Sequence, residues 1–142
     1  LLAYVRHRDD AAQSCIAIYD PEQFMILAAI LLFCLAAVLG MWLVVLGVRY
    51  RRGSLALAAA HAGVALLALG LLGREIFGGS VNLLYNNAAL LFVLALFGGL
   101  VLLALRMSER EHRTPPPMFV VSLHAVMAMT ALLLLVVGYT HP

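Results

Sequence analysis

The chain has 142 residues, of which 65% are hydrophobic and 11% charged, with a formal net charge of +2. That is too little polar surface to coat a soluble globule, so the sequence reads as an integral membrane protein. The small basic excess, all of it arginine, is too weak and too clustered for nucleic acid and reads as topology instead.

In chain order, residues 1–23 hold Arg6, Arg8, Asp9 and Asp10 in near balance, with Tyr4, Val5, Ile16, Ile18 and Tyr19 among them. A periplasmic N-terminal segment with a short interfacial helix is expected there. The chain begins with Leu, and the run from Leu1 to Val5 before Arg6-His7-Arg8 fits the tail of a preceding signal or span. Residues 24–142 then form one unit with four apolar stretches, at about 24–48, 54–77, 83–105 and 118–139. Each reaches the ~20 residues that a bilayer crossing takes at 1.5 Å rise. Asp20-Pro21-Glu22, Arg51-Arg52-Gly53, Gly78-Gly79-Ser80 and Pro115-Pro116-Pro117 stand before them in turn. The predicted fold is all-α: an up-down-up-down four-helix transmembrane bundle with short connections.

Arg49, Arg51 and Arg52 lie between the first two stretches and Arg106, Arg110 and Arg113 between the last two, whereas Arg74 stands alone, beside Glu75, between the second and third. Short basic loops stay in the cytoplasm, which predicts a bacterial inner-membrane protein with both termini periplasmic. The spans also repeat. His61-Ala62 and the alanines and leucines after it lie over His124-Ala125 and its followers, and Leu31-Leu32-Phe33, Leu35-Ala36 and Gly40 lie over Leu90-Leu91-Phe92, Leu94-Ala95 and Gly99. Two tandem helical hairpins about a pseudo-twofold axis along the membrane normal are expected.

An ionisable side chain inside a span is costly and marks a candidate functional site. His61 and His124 both fall roughly 9–11 Å along their helices from the arginine-bearing end. On diagonal helices of a bundle, separated by about 11–14 Å, two level imidazoles suit the two faces of one flat macrocycle. A b-type haem with His61 and His124 as axial ligands is the expected cofactor, which favours outer-sphere electron transfer. Gly40, Gly98 and Gly99 lie at the same depth and are expected to leave room for the macrocycle. Arg49, Arg52, Arg106 and Arg113 are candidate propionate contacts.

This arrangement of intramembrane histidines at one end of four helices resembles the bacterial membrane cytochromes b and the haem-bearing anchor subunits of respiratory enzymes. The resemblance covers residues 24–139 and rests on architecture. It implies one haem, since the second histidine pair of two-haem members is missing here, and electron passage between a quinol pool or neighbouring cofactor and other subunits of a membrane complex. A quinone near the haem belongs to that expectation.

Two other readings stand beside it. A cofactor-free accessory subunit would use the same small-residue faces for helix packing alone, with each histidine bonded to a carbonyl or to Ser122, Thr130 or Asn87. Copper handling would draw on Met127 and Met129 near His124. Arg74 and Glu75 read as interfacial anchors or an ion pair or quinone contact, Asn82, Asn86 and Asn87 as caps, and Trp42 and the tyrosines as packing or belt residues. His7, His112 and His141 read as solvated, and Cys15 and Cys34 as packing residues. No motif of an autonomous hydrolase or ion-driven transporter is present.

Overall fold

The computed structural model describes residues 21–50, 53–79, 82–108 and 117–141, the side chains at 21, 22, 106 and 108 apart. The expected interfacial helix, Cys15, His7, Arg51, Arg52, Arg110, His112 and Arg113 lie outside them. Each apolar stretch forms one helix long and apolar enough to cross a membrane: α1 (Pro21–Arg49), α2 (Leu55–Phe77), α3 (Leu83–Ser108) and α4 (Met118–Thr140).

Local chemistry sets the ends. Ser54 is extended and its hydroxyl accepts from the Leu57 backbone N–H at 3.2 Å, so it caps α2 instead of opening it. The turn after α2 needs Gly79, whose φ of +110° disfavours any residue with a Cβ. Asn82 starts α3, its side-chain oxygen accepting from Leu84 N–H at 2.9 Å, as expected of a cap. Pro21 belongs to α1 although it read as punctuation before it, because proline is tolerated in the first turn, where its missing N–H has no partner to lose.

α1 packs along α2 and α3 along α4, while the two hairpins meet more sparsely along α2–α3 and α1–α4; the diagonal pairs stay apart. Lipid tails are as apolar as leucine, so close packing of small residues holds such helices together. The buried set obeys the repeat. Ile26, Ala29, Phe33 and Ala36 of α1 correspond at one constant offset to Tyr85, Ala88, Phe92 and Ala95 of α3, and Ala68 and Leu72 of α2 correspond to Ala131 and Leu135 of α4.

This set occupies only half of the bundle. Beyond Ala36 and Ala95, and before Ala68 and Ala131, the described helices bury no hydrophobic side chain. The boundary is a stacked pair reaching across the α1–α3 diagonal: the rings of Phe33 and Phe92 lie 3.6 Å apart, centroid to centroid, and within 2° of parallel. The half between this stack and the arginine-bearing end is where both histidines lie.

Candidate cofactor site

His61 is the seventh residue of α2 and His124 the seventh of α4, so helical rise places both ~9 Å from their helix starts. Neither uses Ser122, Thr130 or Asn87, which are exposed. His61 Nδ1 lies 2.8 Å from the carbonyl oxygen of Ala36, and His124 Nδ1 lies 2.7 Å from that of Ala95. Each histidine thus reaches the partner helix of its own hairpin, and the two acceptors are repeat mates. A carbonyl oxygen can only accept, so each Nδ1 carries the proton and a neutral ring keeps its lone pair at Nε2.

The helix geometry explains the glycines. In α1 the Ala36 carbonyl takes the N–H of the residue four ahead, which is Gly40; in α3 the Ala95 carbonyl takes that of Gly99. Without a Cβ at that position, the second lone pair of the carbonyl is open to an imidazole. A Cβ on Gly40 would stand 3.0 Å from His61 Cε1, and one on Gly99 3.3 Å from His124 Cε1. Gly98 is looser, its added Cβ falling 3.5 Å from His124 Cβ and 3.8 Å from Met127 Cε. The glycines were expected to clear space for a macrocycle; the atoms that a Cβ on Gly40 or Gly99 would meet are those of the imidazoles themselves.

Gly40→Ala sets two effects against each other. Alanine gains ~1 kcal/mol of helix propensity over glycine, while displacing the His61 ring forfeits a hydrogen bond worth about the same. The expected result is little change in thermal stability together with loss of the protected His61 Nδ1 proton in nitrogen-15 NMR spectra. Gly98→Ala should leave the corresponding His124 signal in place.

Between the hairpins the two rings approach with centroids 6.2 Å apart and planes at 65°. They project into a cavity of about 300 Å³ lined by all four helices, with Phe33 and Phe92 among its walls. Gly40, Ala62 and Ala65 line it on one side of the repeat, Gly99, Ala125 and Ala128 on the other, and Gly98 does not. Among the described residues its only polar lining residues are His61 and His124. The volume is at the lower end of the ~300–1,000 Å³ range of small-molecule sites, which are likewise mostly apolar with a few placed polar groups.

Among the described residues no cluster of three or more His, Cys, Asp or Glu side chains is placed to hold a metal ion. Met127 turns toward Gly98 while Met129 lines the cavity, so the two sulfurs named for copper face different surroundings. Of the arginines proposed at the ligand, Arg49 is exposed on the last turn of α1, Arg106 lies in α3 with its side chain undescribed, and Arg52 and Arg113 are outside the described residues. Cys34, read as a packing residue, is exposed on α1 because it falls off the stripe formed by Phe33 and Ala36. Asn86 and Asn87 are exposed and only Asn82 caps. His141 is exposed at the C-terminus of α4, and Arg74 is exposed at the end of α2.

Residue type could not reveal the acceptors, since Ala36 and Ala95 serve through backbone carbonyls. The signal present was a spacing: an alanine four residues before a glycine, in both α1 and α3, opposite a histidine in both α2 and α4. Set against protein-family models, curated proteins and solved structures, the chain matches none.

Proposed function

We propose that the protein is a small electron-transfer subunit of a bacterial inner membrane, holding one b-type haem between α2 and α4 with His61 and His124 as axial ligands. The observation that carries this reading is the pair of imidazoles fixed at Nδ1 by backbone carbonyls with Nε2 left for a metal. Such a hydrogen bond from the far nitrogen is the usual companion of a metal-ligating histidine, where it sets the tautomer and raises basicity. The spacing supports it. Two imidazoles on opposite sides of one ion, with metal–nitrogen bonds of ~2.0 Å and ~1.2 Å from nitrogen to ring centre, have centroids about 6.4 Å apart. The observed 6.2 Å agrees, and two axial rings can be twisted about their common axis by any angle.

Ligand count separates haem from a bare zinc ion. Two imidazoles leave a zinc site two ligands short of tetrahedral closure. In a porphyrin the macrocycle supplies the four equatorial nitrogens, and two histidines complete the set. Apart from the histidines the described wall is apolar, and the sequence puts arginines in the loops at the same end, whose guanidinium groups would meet the acidic edge of the ligand. Haem with both axial positions filled supplies one-electron chemistry without a site for oxygen. A neighbouring subunit or a quinone pool is the electron donor or acceptor in this reading, and the basic loops face the cytoplasm.

The full chain, purified in detergent from cells with ample haem, is expected to give a reduced-minus-oxidised spectrum with the α-band of a b haem. A colourless, folded protein containing both histidines overturns the proposal and leaves the cofactor-free accessory role.

A further inference from the structure

Mates in the cavity wall differ at Ala58 and Val121, at Val44 and Leu103, at Leu66 and Met129, and at Ala37 and Leu96, and the last two pairs lie where the wall meets lipid. Successive residues turn by about 100° around an α-helix. On α1, Gly40 faces His61 of α2, and Ala37 is turned from it toward the side on which α4 packs. On α4, His124 faces α3, and Met129, five residues on, is turned toward α1. Both Ala37 and Met129 line the cavity, yet Ala37 is exposed at the surface and Met129 is 56% exposed. The cavity therefore opens sideways along the α1–α4 seam.

On the other seam the repeat mates of these two residues are Leu96 and Leu66, which also line the cavity. Leu96 is half-buried, closing with its isobutyl group the position that Ala37 leaves clear. At the level of Ala37, alanine against leucine leaves more room on the α1–α4 seam, whereas nearer the helix starts the bulkier mate is Val121 of α4 against Ala58 of α2, and Leu66 is itself 51% exposed. Methionine on the far side of the α1–α4 seam has an unbranched, adaptable chain, whereas leucine is branched and stiffer.

We propose that the cavity is loaded from the bilayer, a planar apolar macrocycle passing between α1 and α4 through the gap at Ala37 with Met129 as its movable side. The proposal rests on the haem reading above. The ligand class follows from the walls, since a lateral passage with no polar side chain among the described residues favours a molecule already partitioned into lipid.

The test uses the full chain, produced without haem and reconstituted in phosphatidylcholine vesicles preloaded with haemin, and follows growth of the bound-haem absorption band. Ala37→Leu, which copies the closed seam, is expected to slow loading about tenfold, whereas Leu67→Trp, at an exposed residue of α2 that does not line the cavity, leaves the rate within about twofold. Equal rates for wild type and Ala37→Leu, or an equal slowing by Leu67→Trp, overturn the passage. A wild-type protein that never loads overturns the haem reading itself. Should Ala37→Leu fail to fold, Ala37→Cys in a background lacking Cys15 and Cys34 provides the same test. The unmodified thiol should load at the wild-type rate and the maleimide-labelled one slowly; equal rates again overturn the passage.

Discussion

Replacing His124 with alanine is expected to abolish the low-spin, two-histidine spectrum and to weaken haem retention by more than the ~10–100-fold that loss of an outer-shell partner alone costs. His61→Ala should do the same, because the two half-sites are built alike. Each has a histidine seven residues into its helix, a carbonyl on the neighbouring helix and a glycine four residues past that carbonyl. The fold should survive both changes. The Ala36 and Ala95 carbonyls keep their intrahelical N–H partners, so neither is left without a hydrogen bond, and the stability change should stay near the ~1 kcal/mol of one such bond. Free imidazole added to either variant should restore the low-spin spectrum by occupying the space of the deleted ring. The measurement is an absorption titration with haemin. An unchanged spectrum in either single variant would remove that histidine from the site.

The bundle was legible in the sequence because a bilayer imposes a length and a composition on each crossing, and because proline, glycine and arginine pairs interrupt four such stretches and no more. The level histidines were legible from counting along those stretches. The repeat added their equivalence, and the buried pairs such as Ala29 with Ala88 and Leu72 with Leu135 follow it. The contacts of the histidines were not legible. A backbone carbonyl has no residue-type signature, so a carbonyl stood as a partner beside Ser122, Thr130 and Asn87, but nothing pointed to those of Ala36 and Ala95. The glycines were placed at the right depth, but composition cannot say that Gly40 and Gly99 border the cavity and also make way for a protein ring. Phe33 and Phe92 were aligned as mates, but only the structure shows them stacked as the boundary between a packed half and a hollow half.

That division of labour is itself physical. In lipid no hydrophobic effect closes a gap between helices, so a cavity persists only if the rest of the bundle holds the helices at their spacing. The packed half supplies the small, repeated contacts of Ala29, Ala68, Ala88 and Ala131, and the histidine half is free to keep glycine, alanine and an open volume. Variants in the packed half should therefore act on stability and variants in the hollow half on ligand, with the phenylalanine stack between them.

The sharpest stability test is Gly138. It lies in the last turn of α4, where a carbonyl has no partner further along the helix. Two side chains from the start of α3 supply one instead: the Tyr85 hydroxyl donates to the Gly138 oxygen at 3.3 Å and the Asn82 amide donates to it at 3.4 Å. The tyrosine reaches that oxygen by lying against the bare Cα. A Cβ there would stand 2.8 Å from Tyr85 Cε1, 3.0 Å from Cδ1 and 3.1 Å from Leu84 Cβ, so a buried ring and a helix wall would both have to move. Overpacking of this kind costs ~1–3 kcal/mol and exceeds the helix-propensity gain of up to ~1 kcal/mol. Gly138→Ala should therefore lower the thermal midpoint in detergent, and Gly138→Val should lower it further. Gly70→Ala, with nothing within 4 Å of the added carbon, keeps the propensity gain and should be neutral or stabilising. A Gly138→Ala protein as stable as Gly70→Ala would show that the Tyr85 contact is not a constraint on the fold. Because the phenylalanine stack separates this end from the histidines, the haem spectrum of folded Gly138→Ala should match that of the wild type.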